Sequence, residues 1–140
     1  MPDKKINRKI AVIFATDVVG YSKHMEANES ETILNLRECE SILKGLFSKY
    51  EGRLFNKGGD SFLAEFPSAV SAVECAVEFQ NAIKERNSND DPSVKLDFRI
   101  GINSGDVVIE NENLLGDGVN IAARLEALSQ TGGVTISKSI

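Results

Sequence analysis

Two aspartates raise the first chemical question in this chain. Asp17 closes an otherwise apolar run, IAVIFATDVVGY. A carboxylate there is costly if buried without a cation, so it must meet a counter-charge or face a cleft. Asp60 follows Gly58-Gly59, between the short stretches RLFNK and SFLAEF, in the layout of a hairpin with a glycine turn. Each residue alone has a plainer explanation: Asp17 as a solvated strand end capping the turn to Gly20, and Asp60 as an ordinary turn residue. Set side by side, as they are if the hairpin pairs beside the first strand, they offer two hard oxygen ligands at one rim. That is the donor set for Mg²⁺ or Mn²⁺ carrying a polyphosphate.

Asn120 and Arg124 are spaced i and i+4, so they share one helical face, beside an apolar stripe of Ile121, Leu125 and Leu128. One reading is a solvated helix side on which Arg124 pairs with Glu126 or Glu110. The other is a carboxamide and a guanidinium aimed at a ligand, with Arg124 neutralising phosphoryl charge in a transition state. His24 is the only histidine and sits in a polar segment, which leaves little for a histidine base or a histidine-rich metal site. No glycine-rich stretch ends in Gly-Lys-Ser or Gly-Lys-Thr, and no Gly-x-Ser-x-Gly occurs. Phosphate handling then falls to metal and arginine.

The elements that must position these groups follow from periodicity. The apolar run is a strand buried on both faces. From about Ser30 to Tyr50, Ile33, Leu36, Leu43, Leu46 and Phe47 recur at helical spacing, with Asn28 or Ser30 as the cap. After the Gly58-Gly59 hairpin, Pro67 suits the start of a second helix carrying Val70, Val73, Ala76, Val77 and Ile83, which runs out in RNSNDDPS. VKLDFRIGI and DVVIE are expected as two strands joined by a turn at NSG, followed by a third helix over VNIAARLEAL and a last strand at GVTIS. The order strand, helix, hairpin, helix, hairpin, helix, strand implies an α+β sandwich of the ferredoxin-like kind, its sheet covered on one face.

The chain has 140 residues, enough for one domain. Residues 1–9 are read as a polar N-terminal segment and residues 10–140 as the domain. A net charge of −5 argues against a broad nucleic-acid surface. The longest apolar runs are far shorter than the roughly 20 residues of a membrane helix, so this segment is expected in the cytoplasm with no membrane span. Cys39 and Cys75 lie in helical segments and are expected as reduced, packed thiols.

Four blocks, FATDVVGYS (14–22), GRLFNKGGDSFLAEFPS (52–68), FRIGINSGDV (98–107) and LLGDGVNIAARLEAL (114–128), together resemble the catalytic domain of class III nucleotidyl cyclases, in their bacterial adenylate cyclase form. The similarity runs from about Ile10 to the end of the chain. It implies a ferredoxin-like sandwich working as a head-to-tail homodimer, with active sites at the interface. Asp17 and Asp60 match the metal-binding aspartates, which hold two Mg²⁺ or Mn²⁺ ions. Asn120 and Arg124 match the asparagine and arginine that act on ribose and triphosphate in the partner's site. The implied reaction converts ATP, or GTP, to the cyclic nucleotide and pyrophosphate.

Two positions depart from the family pattern. Asn56 stands where the base-selecting lysine is usual, with Lys57 one step later, and a one-residue slip sends a strand side chain to the other face. Asn113 stands at the second base-selecting place, usually Asp or Thr. The resemblance also implies a further hairpin and a phosphate-binding lysine beyond Ile140, and regulatory domains fused to this one. The alternative is a degenerate cyclase-like domain that binds a nucleotide or a partner without catalysis.

Overall fold

The structure, a computed structural model, describes residues 6–140. Strand β1 (Asn7–Val18) leads through a short helix α1 (Tyr21–Ala27) into the long helix α2 (Glu29–Lys49). Strands β2 (Arg53–Gly58) and β3 (Ser61–Phe66) form the first hairpin, and helix α3 (Ala69–Ser88) follows. The long strand β4 (Phe98–Glu110) turns into β5 (Asn113–Leu115), then helix α4 (Asp117–Leu128) and strand β6 (Val134–Ile136). Asn28 caps α2, its side chain accepting the Glu31 N–H at 3.2 Å, and Ser68 caps α3 by accepting from Ser71 N–H.

The sheet order is β2-β3-β1-β4-β5, with β6 parallel to β4 on the edge that β5 shares. The β1-α2-β2-β3-α3-β4 path through this order is the ferredoxin-like split βαβ arrangement expected from the element order. Alternation assigns the two faces. Phe14, Val18, Phe62, Ala64, Phe66, Phe98, Ile100 and Ile102 face α2 and α3, whereas Ala11, Ile13, Ala15 and Val107 face α4. The sheet is therefore covered on both faces, α4 occupying the one expected to be bare.

Two further expectations change. β1 begins at Asn7, so the last three residues of the polar segment assigned to residues 1–9 open the strand; residues 1–5 lie outside the described residues. The NSG at Asn103–Gly105 is no turn: β4 runs straight through it, paired with β1 from Asn7↔Ile109 to Val18↔Phe98. The hairpin instead turns at Asn111-Glu112, and Val94–Asp97 lie outside the strand. The reason is packing. A Cβ on Gly101 would stand 2.3 Å from Glu126 N and 2.4 Å from Ala122 O, and one on Gly118 would stand 2.6 Å from Asp106 O. Buried Asn103 donates Nδ2–H to Gly118 O at 3.0 Å. These residues seat α4 directly on the β4 backbone.

Candidate active site

β1 and β3 pair in the register Thr16↔Phe62, which brings the β2–β3 turn alongside the end of β1. Gly59 takes the left-handed conformation this tight turn needs, with φ of 61°. Asp60 then accepts the Val18 N–H on Oδ2 at 3.2 Å. Burial raises the Asp60 carboxyl above its ordinary value, the Val18 N–H works against that rise, and the nearby Asp17 charge adds to it. The two aspartates are thus brought to one rim.

Asp17 points to the α4 face, where its cross-strand neighbour is Arg99. Arg99 Nη2 lies 3.3 and 3.5 Å from the two Asp17 oxygens and 3.7 Å from Glu126 Oε2. Glu126 comes from the buried side of α4, with 8% of its side chain exposed. Burial first, then a hydrogen bond with Asp17 and the Asp17 charge, push Glu126 up to about 8. Three carboxyl groups share a half-buried rim with one guanidinium, and burial first, with the Asp17 charge adding, raises Asp60 and Glu126. Among the described residues no three Asp, Glu, His or Cys side chains are disposed together to hold a metal ion; the Asp17 and Asp60 oxygens are of the hard type that Mg²⁺ or Mn²⁺ takes, and these two residues would hold it with the remaining ligands from phosphate and water. Sequence reasoning missed Arg99 and Glu126 as members of the site. Glu126 follows Ala122 at i+4 on the buried helical side, but only the β1–β4 register reveals that Arg99 stands opposite Asp17.

Asn120 and Arg124 do not join this cluster. Both are exposed on α4, and among the described residues no hydrogen bond or ion pair from either side chain is found. The pairing of Arg124 with Glu126 or Glu110 does not form, because Glu126 faces Arg99. The helix buries Val119, Ala122 and Glu126 instead of the expected stripe. Ile121 and Leu125 are half-buried, and Leu128 is 78% exposed. An apolar ridge, a carboxamide and a guanidinium therefore face outward together, and among the described residues the two polar groups have no partner.

Asn56 and Asn113 line one cleft of about 550 Å³ with Phe55 and Leu115. An irregularity between Leu54 and Asn56 shifts the β2 register, so that Asn56 pairs with Leu63 and Lys57 with Phe62. Lys57 borders the cleft, but its ammonium group turns to the helix side and holds Glu40 of α2 at 2.8 and 3.0 Å. Arg53 donates to Glu112 O at 2.7 Å, holding the β4–β5 turn across to β2. Among the described residues no helix is long and apolar enough to cross a membrane.

A ferredoxin-like sheet, two aspartates converging at a strand end and an outward Asn-x-x-x-Arg helix define a recognisable class of domain. The family model for the adenylate and guanylate cyclase catalytic domain matches residues 3–140, and the chain belongs to that family, the class III nucleotidyl cyclases. It is 43% identical over 141 residues to a Rhizobium meliloti protein named as a candidate adenylate cyclase, covering all of this chain and 24% of the relative. It is 29% identical over 135 residues to an adenylate cyclase of Streptomyces coelicolor, covering 96% of this chain and 34% of that protein. The chain thus spans about a third or less of these curated relatives. Among solved structures, an adenylate/guanylate cyclase/hydrolase from Silicibacter pomeroyi superposes with a TM-score of 0.84 at 36% identity, over 96% of this chain and 78% of that one. The guanylyl cyclase Cya2 does so at 0.83 and 27% identity, over 94% and 76%.

Proposed function

We propose that the domain is an adenylate cyclase that converts ATP to 3′,5′-cyclic AMP and pyrophosphate at a homodimer interface, with two Mg²⁺ or Mn²⁺ ions per site. The observation that carries this reading is the division of the machinery: an acidic rim at Asp17 and Asp60 on one side, and Asn120 and Arg124 turned outward without a partner on α4. Asn120 and Arg124 then serve the rim of a second copy, and the ridge of Ile121, Leu125 and Leu128 is covered there. The relatives named as adenylate cyclases favour ATP, and likeness to a guanylyl cyclase makes GTP the substrate to test against it. ATP as substrate places the domain in the cytoplasm, and the small share of its relatives that it spans supports work within a longer, regulated protein.

In the reaction the ribose 3′ oxygen attacks the α-phosphorus, a P–O3′ bond forms, and the bond to the bridging oxygen of the β-phosphate breaks to release pyrophosphate. Divalent cations, when bound there, would supply Lewis-acid charge that lowers the pKa of the 3′ hydroxyl, whose proton leaves to solvent. Asp17 and Asp60 hold that charge at the rim. Asn120 orients the ribose, and Arg124 neutralises charge developing on the phosphoryl oxygens. Asn56 and Asn113 contact the base from the cleft. Each amide offers a donor and an acceptor, so they reject guanine less strictly than a fixed Lys and Asp pair.

The test measures cyclic AMP and cyclic GMP formed from ATP and GTP with Mn²⁺. Asp17→Ala and Arg124→Ala are each expected to be inactive. Mixed in equal amounts, they should recover about a quarter of the unmodified activity, because half the dimers are mixed and each has one intact site. A demonstrated mixed dimer without activity overturns the shared site.

A further inference from the structure

We propose that Arg99 is a positioning residue that holds the place of a divalent cation: its guanidinium neutralises Asp17 beside the buried Glu126 carboxyl and ties it to the last turn of α4, and a cation reaches Asp17 by displacing it. The proposal rests on the reading of Asp17 and Asp60 as metal ligands. Its geometric basis is a seat that is occupied but poorly filled. A guanidinium well set on a carboxylate makes two parallel hydrogen bonds of about 2.7–2.9 Å. Here a single nitrogen, Nη2, straddles both Asp17 oxygens at 3.3 and 3.5 Å and reaches Glu126 only at 3.7 Å. Nε is buried and has no acceptor. Arg99 therefore compensates charge without using the Asp17 lone pairs well, and those lone pairs remain open to a harder, divalent partner.

The remaining contacts favour exchange over a fixed structural bridge. Arg99 and Asp17 keep 29% and 23% of their side chains exposed, so the guanidinium has a path into solvent, whereas Glu126 at 8% stays behind. Nη1 donates to Ala127 O at 3.1 Å, in the helix whose outer side carries Asn120 and Arg124. One side chain thus links the acidic rim of a chain to the helix that the same chain offers to its partner.

The experiment titrates Mn²⁺ into nucleotide-free protein and follows free Mn²⁺ by electron paramagnetic resonance, with thermal unfolding measured in the presence and absence of Mn²⁺. Arg99→Gln is expected to bind Mn²⁺ about tenfold more tightly, the scale of a partly screened ion pair. Its metal-free form should unfold at a lower temperature, with Mn²⁺ restoring most of the difference. Arg99→Lys, which keeps the charge without the fork, should bind with intermediate affinity, and it carries the test if the glutamine variant does not fold. Asp17→Asn should remove the binding in every background. If Mn²⁺ binding survives Asp17→Asn unchanged, the reading of Asp17 as a ligand has failed. If binding depends on Asp17 but Arg99→Gln leaves it equal or weaker, or lowers stability alike with and without Mn²⁺, the Arg99 proposal is overturned.

Discussion

The two faces of the sheet are built on different principles. On the α2/α3 face, the rings of Phe14 and Phe47 meet edge-on at 5.4 Å between centroids, and those of Phe79 and Phe98 at 5.0 Å. Leu43, Cys39 and Cys75 fill the space between them and are essentially inaccessible. On the α4 face the apolar core is smaller, the helix rests on glycine backbone, and the interior holds Asn103, Glu126 and Arg99 beside Asp17. The α2/α3 face also buries polar groups, but they are paired, Glu40 with Lys44 and Lys57 and Gln80 with Phe98 O, so this larger apolar layer can supply most of the folding free energy while the α4 face keeps charged groups close together at a cost in stability. The larger apolar core and the acidic rim at Asp17 are thereby separated by the thickness of one sheet.

The separation can be broken from either side. The largest effect is expected at Asp17→Asn, which should lower cyclase turnover by about a thousandfold or more while the melting temperature changes by no more than a few degrees. A variant that kept its turnover would place the chemistry elsewhere. Phe79→Ala should do the reverse. It removes a ring with no accessible surface and should cost about 3–5 kcal/mol in urea unfolding, with turnover per folded molecule unchanged. Gly101→Ala tests the boundary between the faces. Its new Cβ meets backbone atoms of α4 that cannot swing aside, so the helix must lift. The expected cost is about 1–3 kcal/mol. Turnover should fall beyond what unfolding explains, because Glu126 and Arg99 shift with the helix. Activity intact at reduced stability would show that the site tolerates movement of α4.

Much of the α2/α3 face was legible in the sequence, because its apolar residues recur at the period of the element that carries them. The α4 face was less so. Asn103-Ser104-Gly105 has the composition of a turn, yet the glycine is there to admit a helix, and nothing local distinguishes the two uses. Ile121, Leu125 and Leu128 have the spacing of a buried stripe, but the side that is buried in the chain is Val119, Ala122 and Glu126. The helix carries two patterns, and the more apolar one is turned outward. That Asp17 and Asp60 come to one rim could be anticipated, because Asp17 interrupts an apolar strand and Asp60 follows a glycine turn that can pair beside it. Arg99 and Glu126 could not be, since their meaning depends on a cross-strand register and a helix packing angle.

The smallest expected effect concerns the thiols, which belong wholly to the closed face. Burial pushes Cys39 up to about 11, with the Arg86 charge opposing and Glu38 adding to the rise; burial and then the Glu78 charge push Cys75 up to about 12. Below about pH 8 both thiols are protonated in the folded and unfolded chain alike, and they contribute almost no slope. Between pH 9 and about 11 the unfolded chain loses thiol protons that the folded chain keeps, so the folded state binds more protons and stability falls as pH rises. Each thiol adds at most about 1.4 kcal/mol per pH unit over that window. Urea unfolding at pH 8, 9 and 10 measures it, against a Cys39→Ala, Cys75→Ala double variant. That variant should begin less stable at pH 8, because two small cavities open in the core, but lose stability more slowly as pH rises. Equal slopes in the two proteins would mean that the thiols reach solvent in the folded state, and that the α2/α3 face is not the sealed layer on which the contrast with the α4 face depends.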